Sequence, residues 1–375
     1  MTADETLRPV GGRLLTAPVK ILAGIFAAGL LVVAWRFVFG LGSVAALNDG
    51  YPWGPWKAVS VIVFTAYASG GYVVAMLVYV LNRRRYHAIA RTAILTSALG
   101  YTAGVITLGI DIGRPWNFWR LIVVTGWNLD SVLLEVAVCI STYIIFLWLE
   151  MAPSLLESWR ARLERSLPWI VAMAIVLPSM HQSSLGSLML LAGPRLHAYW
   201  QTPLLPLLFL LSCWILGCAF VLVASMLSSL AWRRPLLWEP LTALARIMAW
   251  LILVSTVVRA TDLLVRAAVL AAPRQGYAVL ALLELALPLG AALLLLRARP
   301  PSPRALFLSA GAVLLGGGLY RLDAALVAFM PGAQYHYFPS VAELVVTGGF
   351  VAAAILAYIV IVKRFPILPA RPIHA

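Results

Sequence analysis

Leu204–Leu205–Pro206–Leu207–Leu208–Phe209–Leu210–Leu211 is a run of eight residues without one polar side chain. Apolar residues continue past Trp214, Ile215 and Leu216 toward residue 229, well beyond the 4–8 residues of a buried strand. About 20 mostly apolar residues, coiled as a helix, match the hydrocarbon thickness of a bilayer. Nine more stretches read the same way, so the expected spans are 17–39, 57–81, 90–110, 128–150, 168–190, 203–229, 243–271, 277–297, 304–330 and 341–363. A membrane barrel would show alternating segments of about 10 residues, and neither this run nor Leu293–Leu296 alternates. Spanning backbone must satisfy its own hydrogen bonds, so the expected fold is an all-α integral membrane protein of ten transmembrane helices.

The whole composition agrees. The 375 residues are 62% hydrophobic and 11% charged, against about 45–50% and about 25% in soluble domains. That leaves too little polar surface to cover a soluble globule. The formal charge of +14 would suggest nucleic acid in a soluble protein. Here its distribution argues for retention of Lys and Arg in cytoplasmic loops and for no nucleic-acid partner. Of 28 basic residues, 19 fall at the termini and in loops 2–3, 4–5, 6–7 and 8–9, with clusters at Arg83–Arg84–Arg85, Arg160–Arg165 and Arg233–Arg234. Seven fall on the other side, and Arg259 and Arg321 fall inside spans. Both termini are therefore expected in the cytoplasm, with 1–16 and 364–375 as tails around a 17–363 membrane domain. Residues 1–16 lack an apolar core and contain Asp4 and Glu5, which argues against a cleavable signal peptide. Loops are short, so chemistry needing a large soluble site must come from partners.

Aromatic residues collect in the odd-numbered loops, at Tyr51, Trp53, Trp56, Trp116, Trp119, Trp127, Tyr199, Trp200, Tyr335, Tyr337 and Phe338. They form an interfacial belt or a docking surface for an outer partner. Three Cys inside apolar runs, without CxxC spacing, provide no disulfide framework and no metal site. No P-loop, dinucleotide fingerprint or zinc spacing is present. A transmembrane b haem usually needs two His on facing helices. Of five His only His181 lies in a span, so no haem is expected.

Ionisable residues at mid-bilayer cost about 2.5–3.5 kcal/mol each on insertion scales and mark candidate sites. Eight, inside spans or at a span end, are the candidates: Asp111, Glu135, His181, Arg259, Asp262, Glu284, Arg321 and Asp323. Span direction places all of them in the middle or outer half. Arg259 and Asp262, three apart, could form a simple ion pair, and Arg321 could serve Glu284 or Asp323. His181 stands out. It lies in Pro178–Ser179–Met180–His181–Gln182–Ser183–Ser184–Leu185–Gly186–Ser187, a polar stretch inside an apolar helix. So much desolvation is spent where a cavity or polar ligand waits. A repeat is visible too: Asp111, Arg114 and Glu135 are echoed by Asp262, Arg266 and Glu284, an offset of four helices. Spans 2–5 and 6–9 are thus expected to form two parallel-related four-helix bundles flanked by spans 1 and 10.

Several motifs together resemble one family. They are Gly40–Leu41–Gly42–Ser43, Tyr51–Pro52–Trp53–Gly54, Ser69–Gly70–Gly71, Asp111–Ile112–Gly113–Arg114, Asn128 to Cys139, Met180 to Ser187, Leu326–Val327–Ala328–Phe329 and Pro366–Ile367–Leu368–Pro369. The pattern is similar to the HybB-type membrane subunit of uptake nickel–iron hydrogenases, within the NrfD or polysulfide-reductase membrane-subunit family. It runs from about residue 10 to 370. Asp130 stands where that family carries a neutral amide, and Asp262 where it carries Glu. The resemblance implies a quinone-reactive subunit of the bacterial inner membrane. It implies docking to a periplasmic ferredoxin-like iron–sulfur subunit and, through it, to hydrogenase small and large subunits. It also implies no haem and, as substrate, menaquinone or ubiquinone. Asp111, Arg114, His181, Gln182 and Ser184 are then the expected quinone-binding residues. Glu135, Asp262 and Glu284 are expected to move protons, with Arg259 and Arg321 as electrostatic support. A secondary transporter or channel with an internal repeat is the competing expectation. Transporter sites lie near the midplane, whereas these charges lean outward.

Overall fold

The computed structural model describes residues 7–121, 123, 126–266, 275–298 and 300–369. The end of the expected seventh span (267–271), Arg274, Arg299, Arg371 and the outermost parts of both tails lie outside the described residues. Among those described there is no strand, only two isolated backbone bridges, Leu7 to Pro369 and Leu196 to Phe329.

Among the described residues, nine helices are long and apolar enough to cross a membrane: Ala17–Phe39, Pro55–Val80, Arg84–Asp111, Val132–Leu155, Leu205–Trp232, Trp238–Val265, Tyr277–Arg297, Pro303–Val327 and Val341–Arg364. The expected fifth span, Leu167–Leu190, reaches the same standard only together with Glu157–Leu163, from which it is bent by 89°. Its polar stretch explains the deficit, since Ser, Gln and His replace apolar residues over three turns. Local signals set the helix ends. Ser131, Ser302 and Ser340 each accept a backbone N–H of the first turn, and Gly40 closes the first helix at φ +88°. The fourth span begins at Val132, not 128. Asn128 Oδ1 accepts from Asp130 N at 3.1 Å, which holds this segment as a turn. The seventh begins at Trp238 and ends at Val265, several residues ahead of the expected 243–271.

The outward surfaces are apolar: Leu31, Leu230, Leu264 and Val341 are among many large exposed side chains. That inverts the soluble pattern and suits a lipid surround. The first span packs on the tenth, with Gly29 facing Gly349 so closely that an added Cβ would lie 3.1 Å from the Gly349 Cα. Small residues let backbones approach where lipid offers no hydrophobic drive.

The second span is broken in its middle. Ser69 Oγ donates toward Ala66 O at 2.6 Å and Cys213 O at 2.5 Å, opening the ladder after Ala68. A Cβ on Gly217 of the sixth span would sit 2.6 Å from Ser69 Oγ and 2.8 Å from Gly70 N, so glycine is required at the crossing. Two segments of the second span, Ala58–Val63 and Met76–Val80, are wound as π-helix, as is Asp323–Val327 in the ninth. π-Turns release backbone groups from the regular ladder and cluster at functional sites.

Candidate functional site

Arg321 is fully buried between the second, fifth, sixth and ninth spans. Its guanidinium donates to Ser212 Oγ at 3.0 Å, Ile62 O at 2.8 Å, Gln182 Oε1 at 2.8 Å and Phe209 O at 2.5 Å. Ile62 lies in the π-wound segment of the second span. Arginine only donates, so the Gln182 carbonyl must face it and the Gln182 amide must face away. That amide donates to Thr65 Oγ1 at 3.0 Å and Tyr101 OH at 3.1 Å, and it lies 3.2 Å from His181 Nε2. The Tyr101 ring meets both His181 and Tyr143 edge-on. His181 is completely buried, and its Nδ1 has no hydrogen-bond partner among the described residues. Since buried polar atoms are normally satisfied, this orphan nitrogen points to a polar ligand.

The other expected residues divide into separate groups. Ser184 Oγ donates to Glu135 Oε1 at 2.7 Å across the fourth and fifth spans. Asp111 is buried and forms an ion pair at 3.0 Å with Lys57, whose side chain is 31% exposed. Arg36 closes the same helix end, donating to Ile110 O at 2.8 Å and Ile112 O at 2.5 Å. Arg114 lies beyond the helix end and is exposed, so it does not share the buried face with Asp111. Asp262 accepts from Thr202 Oγ1 at 2.5 Å, from Arg266 at 2.6 and 2.9 Å and from Arg259 at 3.2 Å. Both arginines continue to carbonyls of the 198–201 loop. Glu284 accepts from Trp200 Nε1 at 3.2 Å and shares a hydrogen bond with Asp323. Arg259 and Glu284 line a cavity of about 70 Å³ with Ser212 and Tyr320. Arg321 thus serves Gln182, not the carboxylates first considered for it.

Sequence reasoning missed several residues. Thr65 and Tyr101 carry no charge at neutral pH, so nothing in the local sequence sets them apart from tolerated helix residues. Lys57 and Arg36 counted only among the seven basic residues of the less positive side. Glu150 read as a span end, yet the helix runs to Leu155 and the residue is buried, with Oε1 unpartnered among the described residues. Glu343 looked like the start of a helix, which it is, as part of a capping box. It also accepts from Ala46 N at 3.2 Å and Tyr337 OH at 2.8 Å. Burial and that carboxylate push the Tyr337 phenol well above its usual value, so it stays a donor.

The aromatic residues of the odd-numbered loops split. Tyr51 stacks on Tyr337 and meets Phe329 edge-on, Trp53 packs tilted against Phe329, and Trp53 Nε1 donates to Ala325 O at 2.8 Å. A Cβ on Gly54 would collide with Tyr337 OH and Glu343 Oε1. This loop is an ordered cap. Trp116, Trp119 and Phe338 instead stay 54–83% exposed.

Residues 43–322 match the family described as Polysulphide reductase, NrfD. The chain belongs to the NrfD family. It is 40% identical over 372 residues to the probable Ni/Fe-hydrogenase 2 b-type cytochrome subunit of Escherichia coli (strain K12), covering 96% of this chain and 95% of that relative. It is 27% identical over 265 residues to the menaquinone reductase integral membrane subunit of Nitratidesulfovibrio vulgaris, covering 66% and 62%. It is 22% identical over 232 residues to a selenate reductase subunit of Mesobacillus selenatarsenatis, covering 54% of each. Apolar helices and family together make this NrfD chain a multi-pass membrane protein, related to membrane subunits of redox complexes.

These relatives correct one expectation. The chain was expected to hold no haem, but the Escherichia coli relative is named a b-type cytochrome subunit, a name that implies haem. The expectation is withdrawn. Bis-histidine ligation needs two facing imidazoles. Of the described histidines His181 is the buried one, His87 and His336 are exposed, and His197 is half-buried in a loop. Those described residues do not form a bis-histidine pair. Among the described residues no group of three or more His, Cys, Asp or Glu gathers closely enough to hold a metal ion.

Proposed function

We propose that this NrfD subunit is the quinone-reactive membrane anchor of a respiratory oxidoreductase, with a nickel–iron hydrogenase as the catalytic partner. One observation carries the reading: a buried polar centre, Arg321–Gln182 with Tyr101 and Thr65, surrounds a His181 whose Nδ1 has no partner among the described residues. A quinone head group offers two carbonyl acceptors and otherwise needs apolar walls. His181 meets one carbonyl, and Asp111 with Lys57, nearer the outer end, lines the entrance to the site. Electrons arrive from an iron–sulfur subunit docked on the exposed aromatics Trp116, Trp119 and Phe338. Reduction to the quinol takes two electrons and two protons. His181 is suited to deliver one proton, and Glu135, held by Ser184, delivers the other. Glu284, hydrogen-bonded to Asp323, extends proton transfer into the second half of the chain, with Arg259 beside it. Asp262 is held in its ion pairs as part of the frame, and Arg321 orients Gln182. Arg114, exposed beyond Asp111, lines the approach.

The chain crosses the bacterial inner membrane ten times, as two four-helix units flanked by the first and last spans. An even count is supported by the two chain ends, which meet: Arg8 N donates to Leu368 O at 3.2 Å and Val10 N to Val362 O at 2.9 Å. The Arg-rich end, with both termini, faces the cytoplasm. The test is hydrogen-dependent quinone reduction in membranes carrying His181→Ala or Asp111→Asn. Both are expected to lose it while the complex still reduces an artificial dye from hydrogen. Full quinone reduction in both variants would overturn the reading.

A further inference from the structure

We propose that the apolar cleft between the second, third and tenth spans receives the isoprenoid tail of the quinone, a reading that rests on the quinone reactivity proposed above. The cleft has a volume of about 180 Å³ and is lined by Phe64 and Tyr67 of the second span, Gly100 and Ala103 of the third, and Val351 and Ala354 of the tenth, among others. Ala103 offers the cleft only a methyl group, and Gly100 lets the second and third spans close beneath it, since an added Cβ would lie 2.6 Å from the Ala68 Cβ. Apolar cavities of this kind do not hold water stably, so their natural occupant is apolar.

Two features tie the cleft to the head-group site and not to bulk lipid. First, Phe64 and Tyr67 flank Thr65, whose hydroxyl accepts from Gln182, and Gly100 adjoins Tyr101, which accepts from the same amide. The segments that build the cleft therefore also build the polar centre. Second, Phe350 belongs both to the cleft and to the buried cluster of Trp56, Ile110 and Val346. Trp56 and Ile110 are the chain neighbours of Lys57 and Asp111, so the cleft leads toward that ion pair. Depth agrees as well. Gly104, on the same wall, is seven residues from Asp111, roughly 10 Å of helical rise below the outer end. His181 is nine residues from Leu190, about 13 Å down. A tail leaving a head group between these levels enters the cleft directly, whereas a phospholipid chain begins at the membrane surface.

The experiment uses the intact complex in membranes, with hydrogen as donor and two acceptors: a quinone with a long isoprenoid tail and its analogue with a single short one. Ala103→Phe fills the cleft from the third span, and Ala354→Leu fills it from the facing wall. Each is expected to raise KM for the long-tailed quinone about tenfold, with kcat held and KM for the short-tailed analogue unchanged. Loss of packing alone would move both acceptors together. Unchanged KM for the long-tailed quinone in a complex that assembles, or equal changes for both acceptors, overturns the proposal. So does mass-spectrometric recovery of a phospholipid that Ala103→Phe alone displaces. If one variant fails to assemble, the other decides. A wild-type complex that reduces neither acceptor sinks the underlying quinone reading and this proposal with it. A wild-type complex that reduces both, without tail selectivity in the variants, sinks this one alone.

Discussion

The motifs Asp111–Arg114 and Asp262–Arg266 look like copies of one another along the chain, and the folded protein treats them differently. At the seventh span the acid and the arginine are four apart on one helix, so they share a face. Arg266 grips Asp262 at 2.6 and 2.9 Å, Arg259 and Thr202 complete its coordination, and the cluster fastens the 198–202 loop. At the third span the helix ends at Asp111, and Arg114 is carried outward. Asp111 takes a cation from another span instead, the partly exposed Lys57. One acid is closed into the architecture, and the other is paired with a group that an incoming ligand can compete for. Repeated sequence thus marks a shared position, not a shared task.

That contrast can be broken by experiment, and the largest effect is expected at the centre between the two halves. Replacing Arg321 with Met leaves Gln182 Oε1 and two backbone carbonyls without their donor. Each buried unsatisfied group costs about 1–3 kcal/mol, so little assembled subunit is expected on a membrane immunoblot, with quinone reduction falling roughly a hundredfold or more. Next come the paired acids. Asp111→Asn is expected to cut hydrogen-to-quinone transfer more than about tenfold with little loss of thermal stability. Asp262→Asn is expected to lower stability by about 2–3 kcal/mol, because it strands two arginines, while leaving the activity of the folded fraction nearly intact. Equal activity losses in the two variants would erase the distinction. A smaller effect is expected for Gly217→Ala. Its Cβ must displace Ser69 Oγ and the Gly70 backbone, an overpacking cost of about 1–3 kcal/mol seen as a lower melting temperature in detergent. The smallest belongs to Arg114→Ala, expected within about 0.5 kcal/mol of wild type in stability because the side chain is exposed. A large stability loss there would mean that the third-span motif is closed after all.

Much of the fold was legible in advance, for a reason particular to membranes. The first span, read as 17–39, is Ala17–Phe39, and the last begins at Val341 as expected. A lipid-facing helix announces itself by local hydrophobicity, with no need of distant partners. The errors fell where a local polar group overrode the apolar count, as at Ser131, which caps the fourth span four residues late. The polar stretch of the fifth span was legible as a candidate site for the same reason, since Gln182 and His181 have no excuse in lipid. The partners of Gln182 were not. Thr65 and Tyr101 carry no charge and look like tolerated helix residues until the spans are packed together.

The sequence by itself determined where the chain enters and leaves the bilayer, which end holds the arginines and which few polar groups lie between. Those properties depend on runs of neighbouring residues and on the cost of each side chain in hydrocarbon. Tertiary structure alone decided that Arg321 serves Gln182, 139 residues away, that Asp111 pairs with Lys57 and Asp262 with Arg266, and that glycines let the second span touch the sixth. Pairing is set by the rotation of each helix about its axis and by breaks such as Ala68–Ser69. Neither is encoded in hydropathy, and both follow from how small and large residues on different spans fit against each other.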